Sequence, residues 1–313
     1  MLHLIIPELL SAESDLSLTP ALRALLARGQ ADPSPAACLP QALCRAIGVD
    51  ACPIAALSLL DDGGDAGNAY WLRADPVYLH LNIDQLVLTD PRGLGLSQAE
   101  AETLTTTLNG HFLPDGLEFL PLAPDRWYLK LGQAPAMQTT PLSEVIGQGI
   151  HPHLPQGADA RRWRSVINEA QMLLHDHPIN QAREGRGLAP INSIWLWGGG
   201  SLSALGKLRS ARIYGAALAE AADAVATRSE PASLAELGPG VAETVVILKG
   251  LQGLNGSARA AALARYETRW FAPALAALKQ GRLACLRLYT TGSLPTTRTV
   301  RPRDAWKLWR RRP

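Results

Sequence analysis

The sequence predicts an α/β protein: a central, mostly parallel sheet flanked by helices, with a smaller α+β insertion. Three observations predict it. Short apolar runs bounded by Pro or Gly alternate with helix-period segments near both ends of the chain, the middle changes to closely spaced strand candidates around one helix, and 313 residues exceed an ordinary single domain. The insertion is placed at residues 61–150 and the main domain at 1–60 with 151–313.

Leu2 to Ile6 is a short apolar run stopped by Pro7, which predicts a buried strand delivering Glu8 to a sheet edge. Leu22, Leu25 and Leu26 recur at helical spacing behind Pro20 and ahead of Gly29, which predicts a helix over 19–28. A second helix, 36–48, lies between a Pro/Ala-rich stretch and the acidic turn 60–67. Asp61, Asp62 and Asp65 of that turn have no closing Glu at EF-hand spacing, so a solvated turn is favoured over calcium. In the middle section, 70–73, 77–81, 85–88, 117–120 and 127–131 read as strands, and Ser97 with Glu100 forms a capping box before a helix through Leu108.

Asp159 precedes a long helix in which Trp163, Val166, Ile167, Ala170, Leu173 and Leu174 share one face, up to Pro178. Arg164, Asn168, Gln171 and His175 form a polar row on another face. The strand 191–197 runs into Gly198, Gly199 and Gly200, the kind of strand end at which parallel α/β sheets place ligands. Further on, 211–226 reads as an Ala-rich helix, 244–248 as a buried strand, 259–279 as a helix broken near Pro273, and 283–289 as a last strand. No internal repeat is present.

With 47% hydrophobic and 19% charged residues, the composition excludes a disordered or fibrous chain. Charge is uneven: residues 1–150 hold 7 Lys/Arg against 17 Asp/Glu, and residues 151–313 hold 23 against 11. Cys38, Cys44, Cys52 and Cys285 lack CxxC spacing, so neither a disulfide framework nor a zinc ribbon follows. The opening segment lacks a basic n-region and is too short for a signal peptide or membrane span, so a cytoplasmic location and no membrane partner are expected.

The glycine run could in principle cradle an anion, but its spacing fits neither a P-loop nor G-x-G-x-x-G, and a tight turn is favoured. All seven histidines precede residue 178. His151/His153 and His175/Asp176/His177 are spaced poorly for chelation compared with i, i+4 pairs, so structural roles are favoured. No G-x-S-x-G, H-E-x-x-H or obvious nucleophilic Cys is present, and no catalytic residue is assigned. Trp306 and Trp309 with the terminal arginines are read as docking on the core, and nucleic acid is not the expected partner.

The segments Asn168-Glu-x-Gln-Met-Leu-Leu-His-x-His-Pro178, Pro190-x-Asn-Ser-Ile-Trp-Leu-Trp-Gly198 and Trp306-x-x-Trp309 together resemble the bacterial regulatory-protein family of the RpfE type, whose members are often labelled phosphoglycerate-mutase-like. The central segment is also similar to archaeal-type cofactor-independent phosphoglycerate mutases. That resemblance implies an alkaline-phosphatase-like sheet and a two-metal site of Asp and His ligands that activates a Ser or Thr nucleophile. Here the opening strand ends in Glu8 after a proline, no His follows His177, and Leu288-Tyr-Thr-Thr-Gly292 stands where Ala-Asp-His would be.

The resemblance therefore implies a regulatory or ligand-binding protein that has lost the two-metal phosphoryl-transfer site and has no cofactor. Its ligand would be a small phosphorylated or acidic metabolite, and a protein partner would fit a regulatory role. Ligand contacts are expected from Arg164, Asn168, Gln171, His175, His177, Asn192, Gly198, Gly199 and Gly200. The alternative is an active phosphoglycerate mutase or phosphatase with a site rebuilt from His175, Asp176, His177 and Glu8, using divalent metals.

Overall fold

The computed structural model describes residues 1–10, 18–36, 38–49, 52–82, 85–205, 212–215, 227–228, 231–238, 243–291 and 294–307. In chain order the elements are β1 (Leu2–Pro7), α1 (Pro20–Arg28), β2 (Gln30–Ala31), α2 (Leu39–Ile47), α3 (Ile54–Asp61), β3 (Tyr70–Asn82) and β4 (Gln85–Thr89). There follow α4 (Gln98–Phe112), β5 (Glu118–Ala123), β6 (Arg126–Leu131), α5 (Ala160–His175), α6 (Pro178–Gly185) and β7 (Ser193–Gly200). The chain continues through β8 (Arg212–Tyr214), β9 (Thr227–Arg228), β10 (Thr244–Ile247), α7 (Gly256–Tyr266), α8 (Ala272–Lys279), β11 (Leu286–Thr291), β12 (Thr296–Val300) and α9 (Pro302–Ala305).

Two compact units result, Met1–Asp50 with Lys207–Pro313, and Ala51–Gly206. These bounds differ from the 61–150 insertion read from sequence: residues 51–60 and 151–206 fold with the second unit. The first unit holds a seven-stranded sheet in the order β2-β12-β11-β1-β10-β8-β9, in which β11, β1, β10, β8 and β9 are mutually parallel. Strands β12 and β2 add antiparallel at one edge. This is the expected α/β sheet flanked by helices. Its central strand reads Leu-His-Leu-Ile-Ile-Pro because both faces are covered. Leu4 and Ile6 pack with α1, α7 and the aromatic pair Trp270 and Phe271, while Ile5 joins Leu43 and Ile47 of α2 on the opposite face.

The predicted 211–226 helix is corrected at its start. Arg212–Tyr214 is a strand that pairs with β10, its carbonyls and amides completing the sheet, and residues 216–226 lie outside the described residues. The 259–279 segment is interrupted as anticipated: a π-turn at Glu267–Phe271 separates α7 from α8 just before Pro273, which cannot donate to the preceding turn. Cys285 is a free thiol.

The second unit is an antiparallel sheet, β4-β3-β6-β5, with β7 on the other side of β3. The two predicted strands 70–73 and 77–81 are one 13-residue strand. Pro76 interrupts nothing. Alternation points its nitrogen away from β7, toward the gap between β6, which pairs only with Tyr70–Arg73, and β4, which begins pairing at Tyr78. Leu72 and Ala74 share one core with Leu104 and Phe112 of α4 and Trp163 and Ile167 of α5, and Trp71 lies on the α3 side with Tyr128. The Ser97/Glu100 capping box forms as expected. Among the described residues, no helix is long and apolar enough to cross a membrane.

Candidate functional site

The polar row of α5 does open onto a cavity. A groove of about 540 Å³ is lined by Asn168, Gln171, Met172, His175 and Asp176 of the α5 end, by Leu79 and Leu86 of the β3–β4 hairpin, and by Asn192. Gln171 Nε2 donates to Ser193 Oγ at 3.1 Å, which fixes the helix against the start of β7. Asn192 acts as a strand extension: Leu79 N donates to its Oδ1 and its Nδ2 donates to Leu79 O, each at 2.8 Å. Its amide thus satisfies two backbone groups of β3 where β7 has not yet begun. His175 stands exposed beside Asp176, with Nε2–Oδ1 at 3.9 Å. The groove offers amides, a thioether, one imidazole and the Asp176 carboxylate, a set suited to hydroxyl or amide partners.

The remaining expected site residues lie elsewhere. Arg164 Nε donates to Pro155 O at 3.0 Å and borders a different depression, lined also by Arg161, Arg162, Asp115, Asp159 and Glu169. His177 is a structural cap rather than a ligand. Its Nδ1 accepts from Ile179 N at 3.2 Å at the start of α6, its Nε2 meets Thr107 Oγ1 at 3.0 Å, and burial lowers its pKa.

The three glycines stand at the opposite end of β7 from Asn192 and continue the strand, so the expected turn is not formed. Gly198 has φ 67° and Gly200 still pairs with Trp71 across a register shift. A Cβ on Gly200 would lie 2.5 Å from Pro53 Cα, and one on Gly199 would lie 2.4 Å from the Tyr70 hydroxyl. Glycine is required because the segment entering α3 crosses directly over β7. Since β7 belongs to an antiparallel sheet, the ligand rule for parallel strand ends does not apply to it.

The strongest electrostatic feature of this unit is one that sequence reasoning missed. Arg73 and Asp75, two apart on β3, share the face covered by α3. Arg73 Nε and NH2 donate to Asp75 Oδ1 at 3.0 and 2.6 Å, and Trp197 Nε1 donates to Asp75 Oδ2 at 2.7 Å. The guanidinium lies 5.1 Å from the Tyr128 ring centroid and 5.5 Å from that of Trp197, its cross-strand neighbours on either side. Burial works against the Arg73 charge, and Asp75 more than offsets it, so the pKa is raised. Burial pushes the Asp75 carboxyl up against the pull of Arg73 and Trp197. Beside them Tyr128 donates to Asp62 at 2.5 Å, and Arg126 grips the same carboxylate with two 2.8 Å bonds. Alternation of Trp71, Arg73, Asp75 and Val77 on one face was the available sequence signal.

A second buried centre lies in the segment between His177 and Asn192. Asn180 Nδ2 donates to Leu174 O and Ile191 O, both at 2.7 Å, and its Oδ1 accepts from Ile191 N. Arg183, fully buried, donates to Ala189 O at 2.9 Å, to Leu94 O, and to Glu100 at 3.2 Å. Burial alone would raise the Glu100 carboxyl, but donors from Ser97, Arg186 and Arg183 outweigh it and hold the pKa at about 2.

In the parallel-sheet unit, Glu8 directly follows β1. Among the described residues it is the only non-glycine with positive φ, 57°. Buried Arg259 donates to Glu8 O, and to Leu9 O at 3.1 Å, while Gly253 N donates to Glu8 Oε2 at 3.3 Å. Near the end of β11, Thr290 Oγ1 donates to Leu294 O at 3.2 Å and accepts from Thr296 N at 3.0 Å. The unit's single histidine, His3, is fully buried beneath α2 with Nδ1 at 3.2 Å from the Tyr289 hydroxyl. A two-metal site needs several carboxylates and imidazoles around common points. Among the described residues no group of three or more His, Cys, Asp or Glu side chains is placed to hold a metal ion. Of the residues named for the alternative site, His177 accepts from Ile179 N at the start of α6, and Glu8 belongs to the parallel-sheet unit.

Residues 68–180 match the family described as 2,3-bisphosphoglycerate-independent phosphoglycerate mutase, a stretch wholly inside the antiparallel unit. A protein of Geobacter sulfurreducens named as a probable enzyme of this kind is 33% identical over 150 residues, 47% of this chain and 37% of the relative. A Methanothrix thermoacetophila protein with that enzyme name is 40% identical over 76 residues, 24% of this chain and 19% of its own. One from Methanosarcina mazei is 31% identical over 134 residues, 41% of this chain and 34% of its own. The alignments thus span about a third or less of those relatives. Among solved structures, the Pyrococcus horikoshii PH0037 protein aligns at TM-score 0.47 and 16% identity over 98% of this chain and 91% of its own. A cofactor-independent phosphoglycerate mutase from Thermoplasma acidophilum aligns at 0.40 and 16%, over 96% and 89%. The chain is phosphoglycerate-mutase-like over its middle section.

Proposed function

We propose that the chain is a phosphoglycerate-mutase-like protein whose ligand is a small phosphorylated molecule, and that it acts as a cofactor-independent phosphomutase or phosphatase. The observation that carries this reading is the family match over residues 68–180. The matched stretch contains the Arg73–Asp75 pair, the α4 capping box and the α5 row. No step is assigned through metal ions.

A second reading, a regulatory or ligand-binding protein without turnover, is favoured by one specific observation. No His occurs from residue 178 to the last residue, and among the described residues no three metal-ligating side chains cluster. A protein partner belongs to this reading.

One experiment separates them. The purified full chain is assayed for conversion of 3-phosphoglycerate with and without added manganese or magnesium, alongside bound-metal analysis and thermal melts with the same compound. Turnover supports the enzyme. A ligand-dependent rise in Tm without turnover supports the binding protein, and neither effect removes both.

A further inference from the structure

The parallel-sheet unit carries 21 Lys/Arg against 12 Asp/Glu, whereas the antiparallel unit carries 9 against 16. Part of that excess is concentrated where α1, α8 and α9 pack together. The sequences of α1 and α8 contain no acidic residue, and α9 contains only Asp304. Asp304 is buried and engaged, accepting from Arg301 N at 3.0 Å and from Lys307 Nζ at 2.6 Å. Arg301 and Arg303 are exposed. At the end of α9 stands Trp306, which sequence reasoning expected to dock on the core. It does not: Trp306 is 57% exposed while its neighbour Ala305 is fully buried, and Trp309 lies outside the described residues. Lys279 Nζ lies 5.6 Å from the Trp306 ring centroid. The position of the ring is set by the frame behind it, since Arg28 NH1 donates to Ala305 O at 2.7 Å and Asp304 closes the turn.

An exposed indole is costly to hydrate unless something covers it, and the cations of this surface, Lys279, Arg301 and Arg303, repel one another unless an anion lies between them. A partner satisfying both has flat apolar faces spaced along a polyanion. We propose that this surface binds single-stranded nucleic acid, with a base stacked on Trp306 and backbone phosphates held by Lys279, Arg301 and Arg303. Single strands suit it because their bases are already unpaired and can lie flat on the ring, whereas a duplex keeps its base faces buried in the stack. The inference is independent of the phosphoglycerate-mutase-like reading, which rests on the other unit.

The test uses the full chain and a fluorescein-labelled oligothymidylate of about sixteen nucleotides, read by anisotropy, with a duplex of equal length and vesicles containing phosphatidylserine as comparators. Binding is expected to be strongest for the single strand and to weaken with salt, with a log–log slope of about −2 for three phosphate contacts. Trp306→Ala should weaken it at least about fivefold while leaving the Tm unchanged, with Trp306→Phe in between. Lys279→Ala with Arg303→Ala should flatten the salt slope to roughly −1. Absence of single-strand binding at low salt, a Trp306→Ala affinity equal to wild type, or a Trp306-dependent preference for the vesicles would each overturn the proposal, the last in favour of an anionic membrane surface.

Discussion

At the centre of the parallel sheet, β1 reads Leu-His-Leu-Ile-Ile-Pro and buries one titratable side chain, His3, in neutral form; at the centre of the antiparallel sheet, β3 buries Arg73 and Asp75 as an ion pair. The first unit's buried cation, Arg259, is held by backbone carbonyls, while those of the second unit, Arg73 and Arg183, each face a carboxylate. A buried polar group must find partners in either unit: in the parallel sheet His3 meets the Tyr289 hydroxyl of the adjacent strand, and Arg259 meets backbone carbonyls at a strand end. The antiparallel unit can set donor and acceptor side by side on one face.

The comparison is broken most sharply at Asp75. Asp75→Ala leaves the Arg73 cation buried without its carboxylate and should cost about 3–5 kcal/mol. Hydrogen exchange should show this as faster opening of β3 and β7 with β1 and β11 unaffected; equal loosening of both units would contradict separate cores.

The parallel unit should respond instead to acid. Burial, assisted by Arg287 and the chain N-terminus, lowers the His3 pKa to about 4 from the ordinary 6.5. Between those values the unfolded chain takes up a proton that the folded chain refuses, so stability falls as pH drops from about 6.5 to 4 and then levels. The loss is on the order of 3 kcal/mol. His3→Gln should flatten that segment of the stability–pH curve, measured by urea melts. Glu100 gives the opposite unit its own signature at lower pH: its depressed pKa stabilises the fold above about 4.5, and that contribution fades as pH falls toward 2.

Gly200→Ala tests the close approach of the α3 entry to β7. The added methyl meets the Pro53 backbone, and a Tm drop equivalent to about 2 kcal/mol is expected. Smallest is Ser97→Ala, which removes the N-cap acceptor for Glu100 N and should cost about 1 kcal/mol, read by the same melts. A null effect there would mean that Arg183 and Arg186 alone hold the start of α4.

Much of the fold was legible because it rests on local rules. The capping box at Ser97, the apolar stripe of α5, the short apolar strands and the break before Pro273 all depend on periodicity and on missing donors, which a single sequence displays. The candidate site was legible only in part. Asn168, Gln171, His175 and Asn192 do line one groove, because helical spacing fixes which side chains of α5 share a face. The glycines, Arg164 and His177 do not join them. A glycine run looks alike whether it cradles an anion or lets a helix cross a strand, and a histidine before a proline looks alike whether it binds a ligand or caps a turn.

The amino-acid order by itself determined most of the element types, most of the buried faces and the absence of histidine from residues 178–313, since each follows from composition or spacing along the chain. Tertiary structure alone decided that β7 joins β3 in an antiparallel sheet, that Arg73 lies between two aromatic rings, and that Trp306 faces solvent. Those outcomes depend on which distant strand or helix occupies the neighbouring space, and pairing between remote segments is not encoded in the period of either one.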